Sequence, residues 1–226
     1  MKAWLDKLTE TFLTSGYYKL MLEGLGNTVI ITLGALVIGV VIGALIATVK
    51  YLAEDNRALA PAAWLCDAYV KIIRGIPVVV LLLIFYFVIF TSSEGVEVAV
   101  LTFGVNSGAY MAELIRGCIH AVDQGQMEAG RSRGLSRLQT MERIIFPQAL
   151  RHILPAIGNE FIALIKETSV AGYVAVVDVT RAGNLVRNNT YDAVNSLMLV
   201  ALTYLTLVLA LTAVLERFEK KLNKGR

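Results

Sequence analysis

Glu160 has the setting best suited to binding chemistry among the acidic residues of this 226-residue sequence. It follows Pro147 by thirteen residues in a largely apolar stretch, so a helix begun there carries it about 20 Å along the axis. A carboxylate that deep in an apolar span costs roughly 2.5 to 3.5 kcal/mol on insertion scales, and is expected to face a cavity or a partner. It can accept two parallel hydrogen bonds from a guanidinium, or pair with an ammonium. The alternative is an internal ion pair with Lys166 or with a cation on another helix. Asn159 precedes it and adds a carboxamide. A second group, Gly104, Asn106, Ser107 and Gly108, lies in another apolar stretch. If its glycines interrupt a helix, free amides there form a candidate cradle for a carboxylate; the alternative is close helix packing. Tyr86 and Phe87 either wall the same cavity or pack in the core. Glu113 is expected to pair with Arg116 or Arg151.

The elements that must carry these groups are membrane helices. The chain is 56% hydrophobic and only 17% charged, against about 25% charged for an ordinary soluble domain. Thr28 to Val49 contains 22 residues without a charge, and about 20 suffice to cross the hydrocarbon core. The pattern predicts a single all-α integral membrane domain over residues 1–226, with five spans at about 24–50, 58–91, 97–121, 148–177 and 193–216. Gly39 and Gly43 share one face of the first span and invite a close neighbour. The second is read as one kinked span, broken where Pro77 removes a helical hydrogen bond. Residues 178–192 read as a polar loop.

Cys66 and Cys118 sit in or beside apolar segments with no metal or redox spacing, and read as small core residues. His120 and His152 form no metal spacing or triad, so enzymatic chemistry is not expected. The first nineteen residues lack the pattern of a signal peptide and are expected to stay on the mature chain. Of the 21 Lys and Arg residues, 15 fall on the side holding residues 50–74, 116–151 and the tail, against 5 on the other. That places the C-terminus in the cytoplasm and the N-terminus outside. The basic clusters suit lipid headgroups and topology; nucleic acid is not an expected partner.

The long polar stretch at 121–147 then lies in the cytoplasm, and structureless loops of that length are uncommon without a function. From Gly125 it reads Gly-Gln-Met-Glu128-Ala129-Gly130-Arg-Ser-Arg133-Gly134-Leu135-Ser136, and it closes on Ile144-Ile145-Phe146-Pro147. Glu128 suits the first turn of a short helix, and Gly134 its left-handed cap. This loop, 122–147 between spans three and four, resembles the coupling segment of ABC-importer permeases: Glu-Ala-Ala, three residues, Gly, nine residues, Ile, one residue, Leu-Pro. Gly130 and Phe146 depart from that pattern, and Gly130 is expected to loosen the short helix. Arg74-Gly75-Ile76-Pro77, Ala109-Tyr110-Met111-Ala112-Glu113, Gly125-Gln126 and Lys166-Glu167-Thr168-Ser169 are similar to the polar amino-acid branch of that family.

The resemblance implies a permease in the bacterial inner membrane, paired with a second copy or a related permease. Glu128, Ala129, Gly130, Arg133, Gly134, Leu135 and Pro147 would dock a separate ATP-binding subunit, and a soluble protein outside would deliver an amino acid. ATP and magnesium would belong to the ATPase partner, because no Gly-x-x-x-x-Gly-Lys-Ser/Thr loop occurs here. Glu160 favours a basic substrate such as arginine, lysine or histidine, with glutamine as the alternative. Asn106, Ser107, Gly104, Gly108, Tyr86 and Asn159 are the other candidate substrate contacts. Arg131, Arg133 and Arg137 could equally meet lipid phosphate. A proton-coupled carrier using Glu113 and Glu160 is the remaining alternative, but many such folds are built from internal repeats and none is visible.

Overall fold

The computed structural model describes residues 16–54 and 56–223; the expectation for the amino-terminal segment falls largely outside them. Among the described residues the chain is helical, without strands. Helix α1 covers Tyr18–Ala53, α2 Ala60–Gly75, α3 Val78–Ile84, α4 Gly95–His120, α5 Gly125–Ser132, α6 Arg137–Thr140, α7 Phe146–Glu167, α8 Val179–Thr190 and α9 Ala193–Asn223. Three described stretches, Tyr18–Ala53, Gly95–His120 and Ala193–Lys221, are unbroken and apolar enough to cross a membrane, and the broken pair Arg57–Gly75 and Val78–Ile89 can supply a fourth. The fifth expected crossing, α7, has 22 residues, about 33 Å of helix. It is amphipathic rather than uniformly apolar, as the charges of Arg151, Glu160 and Lys166 require.

Three boundaries differ from the sequence reading. The kink at Pro77 is a full break, because Ile76 and Pro77 both adopt extended backbone and α3 starts afresh. The span expected to continue to residue 177 ends at Glu167, where a 3-10 turn over Thr168–Val174 takes over and closes on Ala175 in the left-handed region. The polar loop expected at 178–192 contains α8, whose first amides are capped by Asp178.

The chain divides into two compact units. One comprises the chain up to Ala35, Pro77–Phe103 and Ile162–Ala213; the other comprises Leu36–Ile76, Gly104–Phe161 and the chain from Val214. In the first, Met21, Val179, Ala182, Val186 and Val200 form a buried cluster with Tyr204 packed against it. In the second, Ile46, Val70, Ala109 and Ala112 form one cluster, with Cys66 beside it. Ala47, Ile115, Ala149 and Ile153 form another, flanked by Cys118. Both cysteines are therefore packing residues, as expected.

Candidate functional site

Within the second unit, α1 and α4 approach through small residues on both sides. A methyl group built on Gly39 would overlap the side chain of Ser107, and one on Gly43 would overlap Met111. In return, Gly104 faces Ile38 and Gly108 faces Ile42, with the Tyr69 hydroxyl also close. Tyr69 donates that hydroxyl to the carbonyl oxygen of Val105, tying α2 into the same contact. The close approach anticipated for Gly39 and Gly43 is present, and it also decides what the other two glycines do. Helix α4 runs without interruption through Gly104 to Gly108, so their amides serve the helix and no open carboxylate cradle forms there.

The comb of glycines positions Ser107, which is fully buried. Its Oγ donates a 2.8 Å hydrogen bond to Oε1 of Glu160 on α7. Two residues singled out in the sequence, 53 positions apart, are thus joined. Glu160 is half-buried, and among the described residues of its own unit no Lys or Arg lies within ion-pair distance. The hydroxyl satisfies one of the roughly four lone-pair sites of a carboxylate. Asn106 is buried beside Ser107 at 3% exposure, whereas Asn159 is exposed. Pro155 lies inside α7, and its missing N–H takes the usual helical donor from the Arg151 carbonyl. Tyr86 belongs to the first unit, where its ring meets that of Phe87 edge-on at 5.0 Å. Phe87 itself is exposed.

Glu113 takes the expected partner, Arg116, at 2.8 Å, but its second partner is Lys50 at 3.5 Å. Lys50 also meets Asp67 at 2.6 Å, so one lysine at the end of α1 gathers a carboxylate from α2 and one from α4.

The 122–147 segment is also more ordered than a loop. Glu128 lies in the first turn of α5, and Gly134 takes a left-handed φ of +87°. The Leu135 amide donates to the Gly130 carbonyl, closing the turn. Gly130 does not loosen this helix: it is buried, and a methyl group there would overlap the Thr140 side chain. Its small size brings α5 against α6. Ser136 and Gln139 cap α6 reciprocally, a Ser-x-x-Gln pattern legible in the sequence but not anticipated above. A π-turn at Met141–Ile145 leads into α7, where Pro147 lacks the amide that an α-turn would use. Glu128, Ala129, Arg133, Gly134 and Pro147 are exposed, and Leu135 is half-buried.

In the first unit a contrasting carboxylate appears. Asp178 is fully buried, accepts the amides of Thr180 and Arg181, each at 3.0 Å, and accepts the Tyr204 hydroxyl at 3.2 Å. Burial pushes this carboxyl above its usual range, and the hydrogen bonds oppose that push. Asn27 and Thr28 of α1 bind the neighbouring backbone at Val177 and Val179, and Gly24 leaves room for the Asp178 carbonyl.

Comparison with known proteins gives a consistent result. The family described as "Binding-protein-dependent transport system inner membrane component" matches residues 39–224. The "Probable glutamine ABC transporter permease protein GlnM" of Bacillus subtilis (strain 168) is 32% identical over 211 residues, 92% of this chain and 95% of that one. The "Arginine transport system permease protein ArtQ" of the same organism is 34% identical over 209 residues, covering 91% and 93%. Among solved structures, one titled "Crystal structure of an amino acid ABC transporter with histidines" aligns with a TM-score of 0.85 at 33% identity, over 92% of this chain and 96% of that chain.

Proposed function

The chain belongs to the family of binding-protein-dependent transport system inner membrane components and is a permease subunit of an amino-acid ABC importer; on that premise we propose that its substrates are amino acids with basic side chains, recognised by Glu160. The observation that carries this reading is the partly satisfied carboxylate: Glu160 accepts one hydrogen bond from Ser107 and, among the described residues of its own unit, has no cation beside it. A guanidinium or ammonium arriving at this carboxylate supplies the missing donors and the missing charge. Ser107 holds one oxygen in place and leaves the other for the incoming group. Asn106 and Asn159 remain candidate contacts for the rest of the substrate. Gly104 and Gly108 act by letting α1 approach α4.

The segment 122–147 docks the ATP-hydrolysing partner, with Glu128, Ala129, Arg133, Gly134 and Leu135 on α5 and its cap, Gly130 holding α5 to α6, and Pro147 at the start of α7. ATP and magnesium act on that partner. A second permease completes the path, and a binding protein delivers substrate from outside. The inner membrane is the site of action, with the C-terminus cytoplasmic and five crossings in all. Carriage of glutamine is the second reading, supported by the printed name of the GlnM relative and by the ability of a carboxylate to accept from a carboxamide.

Uptake of labelled arginine, lysine, histidine, glutamine and glutamate into liposomes carrying the whole transporter separates these readings. The expected result is preference for the cationic substrates, falling roughly tenfold or more in Glu160→Gln, the scale of a charge-assisted hydrogen bond. Unchanged arginine uptake in that variant would discard the role of Glu160, and uptake of glutamine alone would establish the second reading.

A further inference from the structure

The end of α1 touches the 122–147 segment at one well-defined place. The Arg137 guanidinium forms an ion pair with Glu54 and lies over the Tyr51 ring, 4.9 Å from its centroid. One turn earlier on α1, Lys50 joins Asp67 of α2 and Glu113 of α4. The last turn of α1 is therefore fastened on one side to two helices of the bundle and on the other to the first residue of α6.

A cavity of about 400 Å³ adjoins this contact, lined by residues from α1, α4 and α5 that include Ala47, Ile119 and Met127. Space between α5 and the bundle means that packed side chains do not carry a displacement of α5 directly across that gap, since transmission through a protein interior depends on close packing. Besides the direct continuation into α7, whose Ala149 and Ile153 pack against Ala47 and Ile115, one route runs sideways. Gly130 seats α5 on Thr140, the Ser136–Gln139 box makes α6 a defined turn, and Arg137 on that turn reaches Tyr51 and Glu54. From there α1 leads back to Gly39 against Ser107, the partner of Glu160.

We propose that Arg137, with Tyr51 and Glu54, is the strut through which movement of the docking segment reaches α1, and that it sets how tightly ATP hydrolysis is coupled to transport. These are positioning residues, acting through α1 and not on substrate or nucleotide. Arginine suits the task because its planar guanidinium engages a carboxylate and an aromatic face together, which a lysine ammonium does less well. The inference rests on the reading of 122–147 as the ATPase-docking segment.

The test uses the assembled transporter, permease with ATPase and binding protein, in liposomes, and reads substrate molecules moved per ATP hydrolysed. In Arg137→Gln this ratio is expected to fall at least about fivefold, the lower end of typical allosteric coupling. The ATPase still co-purifies and the thermal transition is preserved. Arg137→Lys gives an intermediate ratio, and the exchanged pair Glu54→Arg with Arg137→Glu recovers part of the loss, an outcome that mere destabilisation would not produce. An unchanged ratio in Arg137→Gln, a thermal transition lowered in step with the ratio, or no recovery in the exchanged pair would overturn the proposal. Failure of the underlying docking reading shows separately: Glu128→Cys in the otherwise unaltered complex would then form no cross-link to the ATPase.

Discussion

Two carboxylates withdrawn from water, Asp178 and Glu160, are treated in opposite ways by the fold. Asp178 accepts two backbone amides and a tyrosine hydroxyl, and the helix it caps packs Val179, Ala182 and Val186 into the core of its unit. Its acceptor capacity is largely used and its surroundings are closed. Glu160 stands on a long amphipathic helix with one hydroxyl bonded to it, only half-buried. A buried polar group left partly unsatisfied is expensive, and one that is also partly open is better explained by a ligand than by architecture. The saturated carboxylate builds the protein, and the unsaturated one is the group we propose for the substrate.

That contrast can be broken or sharpened by substitution. The largest effect is expected from Gly39→Leu, which drives a branched side chain into Ser107 and its backbone and costs about 3 kcal/mol or more. Thermal unfolding of the purified transporter would drop sharply and uptake of every substrate would fall together. Asp178→Ala comes next: loss of a helix cap and of the Tyr204 hydrogen bond costs about 2 kcal/mol. Its signature is a lower melting temperature with the ratio of arginine to glutamine uptake unchanged. A changed ratio would mean that Asp178 is not purely structural. Ser107→Ala leaves Glu160 in place but unsteadied, so arginine uptake falls about threefold to tenfold, in line with the roughly 1 kcal/mol worth of a hydrogen bond, while stability barely moves. Gly130→Ala is expected to cost about 1 kcal/mol of stability as α6 shifts to admit a methyl group. A gain in stability there would show that the family's alanine fits after all.

The parts of this molecule that sequence made legible are those where composition or spacing has one physical solution. An uncharged run such as residues 28–49 must be a membrane-length helix, and Glu128 with Gly134 marks both ends of α5. The join between Ser107 and Glu160 was not legible, because both residues were visible as polar groups in apolar stretches but nothing along the chain says which helices meet. Gly104 and Gly108 stayed open for the same reason: a glycine pair reads equally as an interruption or as a contact surface, and only the opposing Ile38 and Ile42 decide it. Helix α8 was hidden because its polar residues resemble a loop until Asp178 is recognised as a cap and Ala182 and Val186 as one buried face. The pairing of Arg137 with Glu54 spans 83 positions and leaves no local trace.

The most direct test of the central claim is equilibrium binding of arginine and of citrulline, its neutral isostere, to the purified permease–ATPase complex without binding protein. The wild-type complex is expected to favour arginine by about tenfold or more, the scale of one charge-assisted contact, and Glu160→Gln to bind the two equally. Equal affinity in the wild type, or a preference for arginine that survives in Glu160→Gln, would contradict the claim.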